Sequence, residues 1–92
     1  MKFVIKHEIR CRIRFHVAQK SMSYREADIL QYYLDSMKHV SSAKVNHSTC
    51  DAVVCYEGSR EAMITALRRF HYETADAPES YLANSGRQVN EE

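Results

Sequence analysis

Apolar and charged side chains alternate along the first part of the chain, between residues 3 and 17. The apolar positions are Phe3, Ile5, Ile9, Cys11, Ile13, Phe15 and Val17. A period of two is typical of a β-strand with one apolar face and one solvent-exposed face. We therefore predict one long strand, with a bend or a frayed start, whose buried side includes Cys11. His7 breaks the alternation, which favours an ordered core that begins near Glu8.

Two segments have the spacing of amphipathic helices. Ser23 and Glu26 form the pattern of a capping box, and apolar residues follow it at helical intervals, which predicts a helix over residues 24–38. Ser59 is placed to cap a second helix. The residues expected on the inner side of that helix are Met63, Ala66, Leu67 and Phe70.

Residues 40–47 and 52–56 are two β-rich runs separated by a polar turn, which predicts a hairpin. The element order is then β-α-β-β-α with a fourth strand that is weak or absent. This order predicts an α+β, ferredoxin-like sandwich, in which an antiparallel sheet carries both helices on one face. A missing fourth strand would leave an edge of the first strand open to a second copy of the chain or to the tail.

Length and composition restrict the chain to one small domain. It has 92 residues, 45% of them hydrophobic, with 2 Gly and 1 Pro, which argues against a low-complexity or fibrous protein. Residues 1–72 form the predicted domain, and residues 73–92, with five acidic side chains and one arginine, form an acidic linker or tail. The sequence has neither an apolar run long enough for a membrane span nor a secretory signal, and three cysteines favour a reducing, cytoplasmic compartment.

A row of cationic side chains on the first strand is the strongest feature outside the core. It consists of Arg10, Arg12, Arg14 and His16. The row is an ordinary solvated face, a contact surface for an acidic protein surface or for the acidic tail, or a nucleic-acid surface. RNA-binding sheets stack bases on aromatic side chains, and the central strands here lack them, so nucleic acid is the weakest of these alternatives.

Cysteine and histidine provide candidate metal ligands. His47 and Cys50 lie three residues apart in the predicted turn, and Cys55 follows on the next strand. Thiolate and imidazole bind Zn, Cd or Cu(I), although two local ligands fall short of the three or four that zinc needs. His16 and Cys55 are a second candidate pair. The simpler interpretation is that these cysteines are structural.

Catalytic motifs are missing from the sequence. Residues 19–22 do not form a glycine-rich anion loop, and no Ser/His/Asp or Cys/His arrangement has a plausible pocket. We therefore expect no catalytic residues and no enzymatic activity in this segment.

The chain resembles a known family in three segments: Arg12-Ile13-Arg14, residues 46–56 and the strand end Val53-Val54-Cys55-Tyr56-Glu57. Residues 3–72 are similar to the divergent heavy-metal-associated domain at the N-terminus of bacterial heavy-metal-translocating P-type ATPases. The resemblance implies a cytosolic regulatory or docking module, tethered to the inner face of the membrane through the parent transporter. Its partners would be the transmembrane and cytosolic domains of that ATPase, which also carry out transport and ATP hydrolysis.

The chain departs from the wider superfamily at two places. Better-known members hold soft metals with a Cys-x-x-Cys between the first strand and the first helix, but residues 17–22 contain no cysteine. The divergent group usually has Gly before its Arg-x-Arg, where this chain has Cys11. A metal-carrying module with other Cys and His ligands, or a free-standing small binding protein, therefore remain alternatives to regulation.

Overall fold

The computed structural model describes residues 1–73, so the predicted tail lies outside the described residues from position 74 onward. The elements are β1 (Phe3–Ile9), β2 (Arg12–Val17), α1 (Tyr24–Asp35), β3 (Val40–Asn46), β4 (Asp51–Tyr56) and α2 (Arg60–Arg69). The described part is an α+β fold, as predicted. Its four strands form one antiparallel sheet in the order β1-β2-β4-β3.

The predicted long first strand is wrong: residues 3–17 form a β-hairpin. β1 pairs antiparallel with β2, and Arg10 and Cys11 form the two-residue turn between them. The element order is therefore ββαββα. The sheet has four strands because β1 precedes the predicted order; the weak or absent strand predicted after the second helix lies outside the described residues.

A β-bulge explains why the hairpin has the sequence pattern of a single strand. Phe3 and Ile5 pair with Val17 and Phe15, so odd positions face odd positions at the start of β1. The register shifts between Ile5 and His7, after which Ile9 lies opposite Arg12. The bulge and the turn each reverse the side on which odd-numbered residues lie, and the two reversals cancel.

Two predicted core positions are consequently solvent-exposed. Ile9 lies opposite the exposed Arg12 and is 51% exposed, because directly opposite residues share a face of the sheet. Cys11 was predicted to be buried on the first strand, but it lies in the turn and is exposed. Ile13 and Phe15, by contrast, are fully buried, and Arg12 and Arg14 are exposed, as predicted.

The two helices begin where their caps predict. The Ser23 side chain accepts a hydrogen bond from the Glu26 amide, and the Glu26 carboxylate accepts one from the Ser23 amide, both at 3.0 Å. Ser59 likewise accepts from the Ala62 amide at 3.2 Å. These contacts satisfy amide groups that the first turn of a helix leaves without partners. α1 ends at Asp35, three residues before the predicted end.

One hydrophobic core lies between the helices and one face of the sheet. It combines Ile13, Phe15 and Val17 of β2 with Val54 and Tyr56 of β4 and with apolar residues of both helices; the helical members include Leu30, Leu34, Met63 and Leu67. Tyr33 connects the helices, since its hydroxyl donates to the Ala66 carbonyl at 2.8 Å. Because this core uses only one sheet face, no helix of the described residues lies over the other face.

The two edges of the sheet are both protected against pairing with another strand. On the β3 edge, the Gln31 side chain accepts from the Val45 amide at 3.0 Å and donates to the Ala43 carbonyl at 2.8 Å. On the β1 edge, the bulge and Lys6 interrupt a regular ladder. We expected an open edge on the first predicted strand. That edge corresponds to β2, and it is not open, because β1 pairs with β2 on that side.

An ion pair joins the β1–β2 hairpin to the start of α2. The bulge places Glu8 opposite Ile13, on the helix side of the sheet, where its carboxylate binds the Arg60 guanidinium. The hydrogen bond from Arg60 lowers the pKa of Glu8. This contact is solvent-exposed, so it orients the hairpin more than it stabilises the fold.

The turn residue Cys11 leads to a stability prediction. Its φ of 65° lies in the left-handed region, which costs a residue with a Cβ about 1 kcal/mol and costs glycine little. We expect Cys11→Gly to raise the free energy of unfolding by about 1 kcal/mol in urea denaturation. Cys11→Ala is the matched control, since it removes the thiol and keeps the Cβ. Equal stability of the two variants would contradict the prediction.

Candidate docking surface

The sheet face opposite the helices, here called the open face, carries most of the predicted cationic row. Its residues on the three strands beyond β1 are Arg12, Arg14 and His16 of β2, Asp51, Val53 and Cys55 of β4, and Ser42, Lys44 and Asn46 of β3. The alternating burial along β2 and β4 separates these side chains from the core. The prediction that Cys55 lies on this face, away from Val54 and Tyr56, is confirmed.

Strand register arranges the open face in three rows that cross all four strands. From β1 to β3 the rows are Ile9–Arg12–Cys55–Ser42, His7–Arg14–Val53–Lys44 and Val4–His16–Asp51–Asn46. Val4 and Ile9 are 57% and 51% exposed, and they are the large exposed apolar side chains of the described residues. The face therefore combines positive charge with scattered apolar surface.

Asp51 is the anionic centre of the open face. Its carboxylate forms a 2.7 Å hydrogen bond with His16 Nδ1 and a 3.3 Å ion pair with Arg14 Nη2. Burial raises the pKa of Asp51, but the hydrogen bonds from His16 and Arg14 outweigh this effect and leave the pKa below its ordinary value of 3.8. Arg14 and His16 are thus held in place, and part of the Arg14 charge is balanced within the domain.

Arg12 and Lys44 supply positive charge that no acidic side chain balances among residues 1–73. They lie on opposite sides of β4, with Cys55 and Val53 between them. A shallow depression of about 450 Å³ covers this area. Two separated cations over a partly apolar floor fit a surface that presents carboxylates.

Arg10 does not belong to the open face in the way that the sequence predicted. It is exposed in the two-residue turn between β1 and β2, beside Cys11, and therefore lies at the end of the row. The other three members, Arg12, Arg14 and His16, share one face of β2 as expected. The docking surface predicted from sequence is thus three residues on a strand and one at its tip.

The three candidate metal ligands lie in different environments. Cys50 is buried in the core, and its thiol is 3.9 Å from the His47 carbonyl oxygen. The His47 ring packs against Tyr24, with ring centroids 4.1 Å apart. Cys55 lies on the open face beside Arg12, on the other side of the sheet from the core. Within residues 1–73, no three His, Cys, Asp or Glu side chains form a group that could hold a metal ion.

The chemistry of Cys50 also disfavours metal binding. Burial raises the pKa of the Cys50 thiol, and the carboxylates of Asp51 and Glu26 raise it further. Soft metals bind the thiolate, so a raised pKa lowers the fraction of Cys50 that is ready to bind.

The loop between β2 and α1 is closed by hydrogen bonds from Gln19. The Gln19 amide nitrogen donates to the Ser21 carbonyl at 2.7 Å, and its oxygen accepts from the Tyr72 hydroxyl at 2.9 Å. Burial raises the pKa of Tyr72. The loop is therefore covered by the residues that follow α2.

Sequence reasoning missed three titratable members of the open face: Asp51, Lys44 and His7. Asp51 alternates with Ala52 along β4, so the period of two could have placed it beside Val53 and Cys55. Its contacts with His16 and Arg14 depend on the pairing of β2 with β4, which the sequence does not reveal. His7 reaches this face only because of the bulge in β1.

Comparisons with protein-family models, with curated proteins and with solved structures found no match for this chain. Among the described residues, neither helix has the length and apolar character needed to cross a membrane.

The Asp51 contacts lead to a pH prediction. A lowered folded-state pKa stabilises the fold fully above the unfolded pKa of about 3.8, and this stabilisation disappears as the pH falls through the folded value. We expect Asp51→Asn to lower the free energy of unfolding by about 1 kcal/mol at about pH 5 and by progressively less toward about pH 2. Urea denaturation over this range measures the difference.

Glu57→Gln is the matched control for this experiment, because Glu57 is exposed and lies just beyond β4. It should leave the free energy of unfolding nearly unchanged at each pH. A cost of Asp51→Asn that stays constant down to the lowest pH would contradict the assignment of an ionised, paired Asp51.

Proposed function

We propose that this chain is a non-catalytic docking module that regulates a heavy-metal-exporting P-type ATPase, and that its open face contacts an acidic surface of that transporter. The observation that carries the proposal is the uncovered sheet face with Arg12 and Lys44 exposed and without acidic partners among residues 1–73. The parent transporter comes from the sequence resemblance of residues 3–72. The module would lie in the cytoplasm, tethered through residues 73–92.

The sheet topology supports a ferredoxin-like relationship. In a βαββαβ chain of this type, the last strand lies beside the first strand at one edge of the sheet. Here β1 occupies that place beside β2, and the remaining strands and helices follow the βαββα order. A hairpin at the start of the chain thus substitutes for a strand at its end, while both helices still pack on one face.

The distribution of charge favours docking over a passive solvated face. A solvated face needs no particular arrangement, whereas Asp51 fixes Arg14 and His16 on the open face and leaves Arg12 and Lys44 without acidic partners among the described residues. The exposed Val4 and Ile9 add apolar area at the β1 side of the same face. A protein partner uses both kinds of contact.

The placement of the cysteines and histidines supports regulation over metal carriage. Cys50 and Cys55 are on different sides of the sheet, and His47 packs on Tyr24. A shared site would require the β3–β4 turn to rearrange. The Gln19 contacts occupy the loop at which related domains bind metal. We therefore assign the interaction to the cationic face and propose no metal ligands.

Charge reversal in the complete transporter tests this proposal. We expect Arg12→Glu with Lys44→Glu to weaken docking roughly tenfold, because each reversal replaces an attraction with a repulsion at the same acidic surface. Metal-stimulated ATP hydrolysis should change accordingly. Arg14 is left intact, since a glutamate at that position would repel Asp51 and destabilise the domain.

The matched control reverses two exposed cations outside the open face, Lys38 and Arg69, to glutamate. This control should leave the metal-stimulated activity unchanged. Equal activity of the open-face variant and the wild-type transporter would overturn the docking proposal. A gene product whose residues beyond Glu92 contain no membrane-spanning helices would overturn the assignment to a transporter.

A further inference from the structure

A groove lies between the edge strand β1 and helix α2, and its volume is about 640 Å³. This volume is within the range of small-molecule sites, which is roughly 300–1,000 Å³. Three apolar side chains line its middle: Phe3 and Ile5 of β1 and Ile64 of α2. Phe3 and Ile5 are only half-buried, although they share a face of the sheet with the fully buried Phe15. The middle of the groove is therefore an apolar surface that residues 1–73 cover only in part.

The two ends of the groove differ in charge. At one end, the Arg60 guanidinium is balanced by the Glu8 carboxylate, with which it forms an ion pair. At the other end, Lys2 and Arg68 are exposed and have no acidic partner among residues 1–73. Net positive charge is therefore concentrated at the end that Lys2 and Arg68 form.

The first residue of the chain holds this cationic end together. The Met1 amino group donates to the carbonyl oxygens of Arg68 and Phe70, at 2.9 and 2.7 Å. These contacts hold the start of β1 against the C-terminal end of α2, so that Lys2 and Arg68 line the same end of the groove. The charged and the balanced ends are roughly 12 Å apart, which is the rise of the helix from Arg60 to Arg68.

We propose that this groove binds the anion of a free fatty acid, with the carboxylate between Lys2 and Arg68 and the alkyl chain over the apolar middle. Ammonium and guanidinium groups both donate to a carboxylate, and a guanidinium does so through two parallel N–H groups. The alkyl chain leaves water on the apolar middle, which stabilises the complex without directional contacts.

The distribution of charge favours a ligand with a single charged end. The Glu8 carboxylate leaves no net charge at the Arg60 end, where the alkyl chain terminates. An acidic peptide would carry carboxylates along its length and bring some of them near Glu8, so it matches the groove less well. The groove lies on the helix side of the sheet, away from the open face, so a fatty acid can bind here whether or not the open face docks to a transporter.

Titration of the 92-residue chain with decanoate, below the concentration at which decanoate forms micelles, tests the proposed site. We expect saturable shifts of the backbone amide resonances of Phe3, Ile5, Ile64 and Arg68. Octanoate, which is two methylenes shorter, should bind about fourfold more weakly, because each methylene half-buried in an open groove contributes about twofold to the affinity. Decylammonium has the same chain length and the opposite charge, so it should bind about tenfold more weakly than decanoate.

Removal of charge at the cationic end provides the matched comparison. Lys2→Gln with Arg68→Gln should weaken decanoate binding about tenfold, because the carboxylate loses both charged donors. Both side chains are exposed, so the fold and the rest of the spectrum should not change. The control removes two exposed cations that do not line the groove, Lys38→Gln with Arg69→Gln, and should bind decanoate like the wild-type chain.

Several results would overturn the proposed site. They are the absence of saturable shifts along β1, equal binding of decanoate and decylammonium, equal affinity of the two double variants, and shifts confined to the open face around Arg12 and Lys44. Shifts that appear only above the micelle-forming concentration, or only with vesicles of anionic phospholipid, would also overturn it, because they would report a lipid aggregate instead of a free fatty acid. None of these measurements involves transporter activity, so the fatty-acid site and the proposed function fail separately.

Discussion

The alternation of side chains along β2 is the constraint on which the rest of the molecule depends. Ile13, Phe15 and Val17 point into one hydrophobic core, and Arg12 and Arg14 consequently face outward. Because β2 lies inside the sheet, between β1 and β4, a slip of one residue would bury two guanidinium groups. Burial of the core residues of β2 therefore also determines on which face of the sheet Arg12 and Arg14 lie.

The open face is organised by one carboxylate. Asp51 holds His16 and Arg14 across the β2–β4 pairing, whereas Arg12 and Lys44 have no acidic partner among residues 1–73. This division of roles separates charges that stabilise the domain from charges that are available for binding. For this reason we expect substitutions of Arg14 and of Arg12 to have different consequences, although the two residues lie on the same face of one strand.

The proposed function combines this surface with the sequence resemblance of residues 3–72. The sequence pattern of residues 3–72 suggests a transporter's cytosolic module, and the structure contributes a face suited to an acidic protein surface. The candidate metal ligands are dispersed between the core, the β3–β4 turn and the open face. This dispersal is the reason for proposing a docking role instead of a metal-carrying role.

The sequence by itself determined both helix starts, the β3–β4 hairpin and the faces of β2 and β4, because caps and periodicity act between residues close in the chain. It did not reveal the first hairpin. The bulge after Ile5 and the turn at Cys11 each reverse the face on which odd-numbered residues lie, so the sequence keeps the alternation of a single strand. Tertiary structure alone decided that β1 would complete the sheet, that Asp51 would meet His16 and Arg14, and that Cys50 and Cys55 would be separated. Each of these depends on which strands pair and in which register, and pairing is selected by burial of the whole core rather than by any local segment.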